Sequence, residues 1–161
     1  MSELAPATNA GDQGDGARAS YRVPIERGKV LEISRAMKSQ NPAYFEGERP
    51  IAPVPFYYGA AYLWGYTWEQ PDGSPLAEAG LDPERLLHAE EEVSFLGEPP
   101  RAGAVLSASL RVESVYEKQN RRGETLRFAI AVTKFRDAQG RVVAEARNTV
   151  VETPRPSEAE G

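Results

Sequence analysis

The sequence predicts an α+β fold in which a curved antiparallel sheet wraps around a central apolar helix, and three observations predict it. Helical spacing of apolar residues is confined to the first part of the chain. One later segment, Phe56 to Trp68 (FYYGAAYLWGYTW), is apolar and aromatic almost throughout, so it has no face suited to water. From Leu87 onward the apolar residues recur every second position, the period of a strand with one face buried.

Taken in order, Tyr21 to Pro24 reads as a short strand, and Pro24 limits how far it can pair. Val30, Ile33 and Met37 recur at three- and four-residue steps, with Glu26, Lys29 and Glu32 on other faces, which predicts a helix ending before Asn41-Pro42. The loop SQNPAYFEGERPIAP, Ser39 to Pro53, follows. In the Phe56–Trp68 helix the small residues Gly59, Ala60 and Ala61 permit close packing. Asp72-Gly73 and Asp82-Pro83 mark turns in the next loop. Leu87 to Phe95 is the first long strand. Leu106, Ala108, Leu110 and Val112 alternate with polar residues in the second, and Leu126, Phe128, Ile130 and Val132 alternate with Arg127 and small residues in the third. Asn120 to Gly123 and Asp137 to Gly140 are hairpin turns, and Arg141 to Val151 is the last strand of the meander. Such long strands imply a strongly twisted sheet, and an open sheet leaves an edge that a second chain can cover, so a dimer is expected. Residues 1–19 and 153–161 lack a hydrophobic period and read as disordered tails flanking a single domain, 20–152.

Composition narrows the function. A chain of 161 residues with 40% hydrophobic content builds one core, and no apolar run reaches the ~20 residues needed to span a bilayer. The start, Met1-Ser2-Glu3, shows no secretory signal, so a cytoplasmic protein is expected. With no cysteine and a single histidine, a metal site is not expected. A net charge of -5 with scattered basic residues argues against nucleic acid as a partner, and Arg121-Arg122 reads as a solvated hairpin tip.

The order of elements, the Asn41-Pro42 loop, the sequence Ile51-Ala52-Pro53 leading into an aromatic segment, and Leu87-His88-Ala89-Glu90 opening the sheet together resemble the MaoC-like dehydratases. They resemble more closely the N-terminal-type, degenerate dehydratase subunits of the hot-dog fold, over about Tyr21 to Val151. Active members of that family hydrate trans-2-enoyl thioesters, or dehydrate the (R)-3-hydroxyacyl form, with the motif Asp-x-Asn-Pro-x-His. A carboxylate and an imidazole hold a water between them, and a backbone N–H at a helix N-terminus polarises the thioester carbonyl. Laid on this chain, the motif's Asn and Pro fall on Asn41 and Pro42, its Asp on Ser39 and its His on Tyr44. Hydroxyls with pKa values of ~10 or more are poor bases at neutral pH. The resemblance therefore implies a non-catalytic subunit that shapes the acyl pocket for a MaoC-like partner chain carrying the Asp-His dyad. It implies no cofactor beyond the substrate, a thioester of CoA or of acyl carrier protein, and it places Asn41, Tyr44, Pro53, Tyr57 and His88 against that substrate.

Other readings stand beside this one. In a regular strand His88, Glu90 and Glu92 share one face while Val93 and Phe95 share the other. A His88–Glu90 pair can do acid-base work, or His88 can be a hydrogen-bonded histidine with no further role. Tyr44 can reach a thioester or pantetheine oxygen through its phenol or fill space with its ring. Tyr57, Tyr58, Tyr62, Trp64 and Trp68 can line an acyl pocket or form plain core. The alternative function is an autonomous hot-dog enzyme, an enoyl-CoA hydratase or acyl-CoA thioesterase, using His88 with a nearby glutamate. A thioester-binding protein without a reaction is a third, and the dimer is formed with a MaoC-like catalytic chain, as a heterodimer or higher assembly, or alternatively with a second copy.

Overall fold

The computed structural model describes residues 20–63 and 75–154. The chain runs β1 (Tyr21–Pro24), α1 (Arg27–Ala36), a 3-10 turn at Pro42–Tyr44, α2 (Val54–Leu63), a short α3 (Pro75–Glu78) and a second 3-10 turn at Pro83–Arg85. Four long strands follow: β2 (Leu86–Phe95), β3 (Val105–Gln119), β4 (Thr125–Arg136) and β5 (Val142–Glu152). The five strands form one antiparallel curved sheet in the order β1-β3-β4-β5-β2. The end of the apolar segment, including Trp64 and Trp68, the Asp72-Gly73 turn, the expected tail at 1–19 and all but the first two residues of the expected tail at 153–161 lie outside the described residues.

The β3-β4-β5 part is the expected meander, but β2 does not join it through a hairpin. It pairs with β5, at the far edge. The link from β2 to β3 passes through Pro99-Pro100, and Ala52 and Ile51 fasten it by an N–H bond to Pro100 O at 3.1 Å and a bridge to Arg101. Period-two alternation marks a strand without marking its neighbour, so only the tertiary structure places β2.

Helix α1 buries Val30, Ile33 and Ser34, whose hydroxyl donates to Val30 O at 2.7 Å. Met37, expected on that buried face, is instead 43% exposed. The helix stops one residue short of it, with Met37 as its C-cap and Lys38 at φ 53, so Met37 lies at the frayed end of the buried face.

The face of the sheet that receives α2 is carpeted with small residues. Ala108, Ala144 and Ala146 share a buried cluster with Phe56, Tyr57 and Phe135, while Ala129 and Ala131 join Leu76, Leu81 and Val150 in a second. In β4 the register puts Ala129, Ala131, Thr133 and Phe135 on this face and turns Phe128 and Ile130 to the other. There Phe128 stacks on Tyr116 with ring centroids 5.2 Å apart. The small row faces inward because the aromatic volume comes from the helix. Tyr57 packs edge-on against Phe95 and Phe135, at 5.3 and 5.2 Å.

One end of the concave face is closed by charge. Glu152, 4% exposed, accepts from Arg85, from Arg127 at 3.1 Å and from the Asp82 N–H at 3.1 Å. On the opposite face a bulge at Glu113 in β3 brings its carboxylate to Arg147 of β5 and Arg111, and the Arg147 bond holds it below the usual carboxylate range.

Truncation at the aromatic seam should be severe. Phe135→Ala is expected to lower the unfolding free energy by about 3–5 kcal/mol, the range for losing a buried phenyl ring. Urea denaturation checks this, and a loss below about 1 kcal/mol would mean that the ring does not anchor α2.

Candidate functional site

The Ser39–Pro53 loop is built around Asn41. Its side-chain oxygen accepts from the Ala43 N–H at 3.1 Å, capping the 3-10 turn, while its own N–H donates to Ser39 Oγ at 3.2 Å. Pro42 occupies the first position of that turn, where its missing N–H costs nothing. The loop then runs beside the β2–β3 link, with Ala102 N–H bonded to Pro50 O at 2.9 Å. It delivers the buried Pro53 to the start of α2. Ser39 and Tyr44 are half-buried and Asn41 is exposed. Among the described residues, no hydrogen bond or ring contact joins Ser39, Asn41 or Tyr44 to His88.

A different set of polar side chains meets beneath α2. In β2 the register slips between His88 and Glu90, so Ala89 is an extra residue. The slip corrects the expected pairing. His88 stands opposite Val150 and Glu91 opposite Asn148, on the same face as Val93 and Phe95, whereas Glu90 and Glu92 lie on the other face opposite Thr149 and Arg147. The glutamate beside His88 is therefore Glu91, with its Oε2 3.4 Å from the imidazole Nε2 and 2.8 Å from Asn148 Nδ2. The Tyr58 ring lies against His88, centroids 4.6 Å apart.

Tyr57, Tyr58, Glu91, Thr133 and Asn148, with apolar neighbours, line a cavity of about 40 Å³ between α2 and the sheet. That volume suits one or a few water-sized groups and is far below the ~300 Å³ of an ordinary ligand pocket. Burial raises the pKa of the Tyr57 phenol, and burial together with the Glu91 charge raises that of Tyr58. Burial also raises Glu91 above the ordinary 4.5, against the hydrogen bonds from His88 and Asn148 that lower it. Asn148 and Glu91 were missed in the sequence for separate reasons. Asn148 did leave a trace, as the polar residue in the otherwise apolar row Ala144, Ala146, Val150.

The curved five-stranded antiparallel sheet with α2 seated on it is a hot-dog fold. The family model of the FAS1-like dehydratase domain region matches residues 16–146, and the chain belongs to that family. Among solved structures it is similar to a chain of the HadBC (3R-hydroxyacyl-ACP dehydratase) complex from Mycobacterium tuberculosis. That match has 19% identity and a TM-score of 0.60, and covers 86% of this chain and 98% of that one. It is similar also to a chain of the ChsH1-ChsH2 complex from the same organism, with 14% identity, a TM-score of 0.59 and coverage of 90% and 86%. The MaoC-like dehydratase from Rhodospirillum rubrum matches at 18% identity and TM-score 0.55, over 92% of this chain and 99% of that one. No curated protein matches by sequence. No helix among the described residues is long and apolar enough to cross a membrane.

The Glu91 environment has a pH signature. Its carboxyl binds a proton more tightly in the folded than in the unfolded chain, so this group's contribution to stability falls as pH rises from 4.5 through the folded pKa. Glu91→Gln keeps an acceptor for Asn148 without the titration. Its stability relative to the wild type is expected to shift in the variant's favour as pH rises through that window, measured by urea unfolding from about pH 4 to 7. A pH-independent difference would contradict the raised value.

Proposed function

We propose that this chain is the non-catalytic subunit of an (R)-specific enoyl-thioester hydratase or 3-hydroxyacyl-thioester dehydratase, acting in the cytoplasm in fatty-acid metabolism. It shapes the acyl pocket for a MaoC-like chain that carries the Asp-His dyad, and the substrate is a thioester of CoA or acyl carrier protein. The observation that carries this reading is the Asn41 loop. The capped turn is intact, yet the two positions where the family places carboxylate and imidazole hold the hydroxyls of Ser39 and Tyr44. Asn41, Tyr44, Pro53, Tyr57 and His88 are the residues assigned to the substrate side.

A second chain has a place to bind. β2 pairs on one side with β5 and stands at the edge of the sheet, and Leu87 on it is 57% exposed. Pairing of β2 with a second copy, in an antiparallel two-fold centred on the strand's middle, sets Glu90, Glu91 and Glu92 against one another, which favours a different chain over a homodimer. The named complexes HadBC and ChsH1-ChsH2 agree with a partnered arrangement.

The second reading, an autonomous hydratase or thioesterase, draws on the His88–Glu91 contact. One experiment separates the two. The purified chain is expected to show no hydration of crotonyl-CoA or of a longer enoyl-CoA, and co-expression with a neighbouring MaoC-like chain is expected to yield a co-eluting, active complex. Robust activity of the chain alone, lost in His88→Ala, would replace the first reading with the second.

The edge charge makes its own prediction. Glu90→Gln/Glu92→Gln is expected to tighten self-association by roughly 3- to 30-fold, from ~1 kcal/mol per relieved like-charge pair. Sedimentation equilibrium reads it, and an unchanged constant would remove the charge argument against the homodimer.

A further inference from the structure

We infer that the cavity beneath α2 is a binding site for one small hydroxyl group, water in the free chain, held between the phenol of Tyr57 and the side-chain oxygen of Asn148. Both atoms are buried and have no hydrogen-bond partner among the described residues, and both residues line the same cavity of about 40 Å³. Tyr57 as a whole is only 2% exposed, fixed by the rings of Phe95 and Phe135, so its hydroxyl cannot swing out to solvent. Native proteins rarely leave two such atoms unsatisfied in one place.

The chemistry of the two atoms selects the ligand. Asn148 donates through Nδ2 to Glu91 Oε2 at 2.8 Å, and an ionised carboxylate can only accept, so the amide cannot be reversed and Oδ1 is held as an acceptor. The bound group must therefore offer a proton to Asn148, while the Tyr57 hydroxyl can donate in return. A water or an alcohol O–H does both. An anion has no proton to offer and would lie beside the Glu91 carboxyl. The size is right for water as well, since about 10–15 Å³ of accessible volume suffices for one molecule that has two or more polar partners.

With that oxygen in place, a single hydrogen-bonded line runs from the core to the surface: Tyr57, the bound hydroxyl, Asn148, Glu91, and the half-exposed imidazole of His88. It ties α2 to β5 and β2 by polar contacts at the level where Ala131 and Ala146 leave space. This inference is independent of the subunit role, because it concerns the chain whether or not a partner is bound.

A crystal structure of the wild-type chain and the Tyr57→Phe variant test it together. Oxygen density within hydrogen-bonding reach of both Tyr57 Oη and Asn148 Oδ1 is the expected result. A single peak identifies water, and density extending beyond one atom identifies the hydroxyl of a co-purified ligand. Absence of density at both atoms overturns the inference. Tyr57→Phe keeps the ring and removes the O–H. If the phenol is satisfied, Tm is expected to fall by about 2–6 °C, whereas removing an unsatisfied buried hydroxyl would leave Tm unchanged or raise it, which also overturns the inference. A double-variant cycle of Tyr57→Phe with Asn148→Ala supplies a third reading. The two side chains share no direct hydrogen bond, so a non-zero coupling is expected through the bridging oxygen, and additivity would count against it.

Discussion

The close seating of an aromatic helix on an alanine-lined sheet is the constraint from which most of this structure follows. Because α2 brings Phe56 and Tyr57, the facing strands supply Ala108, Ala144 and Ala146, and the interdigitation fills volume that neither surface fills alone. Large side chains on that face would hold the helix away, and small ones on the helix would leave a void. The same seating buries the phenol of Tyr57, so a polar atom enters the core together with the ring that anchors it.

Two bulges then decide which charged groups face inward. In β2 the extra residue Ala89 moves His88 onto the face shared by Glu91, Val93 and Phe95, directly under the helix. In β3 the extra residue Glu113 points the other way and is taken up by Arg147 and Arg111. Each places a charged or polar group where a neighbouring strand has a partner for it. Asn148 meets the charge of Glu91 and Arg147 that of Glu113, and at the end of the sheet Arg85 and Arg127 satisfy the buried Glu152.

These arrangements divide the molecule into two regions of different chemical character. The Asn41 loop is a capped turn with the hydroxyl residues Ser39 and Tyr44 on either side of Asn41-Pro42. The cluster beneath α2 holds a histidine and a carboxyl, but around a cavity sized for water. Hydrophobic packing positions both: the loop by fixing Pro53 at the start of α2, the cluster by fixing Tyr57 and Tyr58 over β2.

What the sequence by itself determined is the set of elements and the fold class. Apolar periods of 3.6 and 2 follow from local backbone geometry, so α1, the aromatic start of α2, and the strands near 87–95, 106–112, 126–132 and 141–151 were legible. What only the tertiary structure decided is adjacency and facing. The place of β2 beside β5 depends on where the Leu96–Ala104 link carries the chain, and no residue pattern within a strand encodes its neighbour. The partner of His88 depends on one slipped residue, because a shift of one in a period of two exchanges the faces of a strand and replaces Glu90 by Glu91.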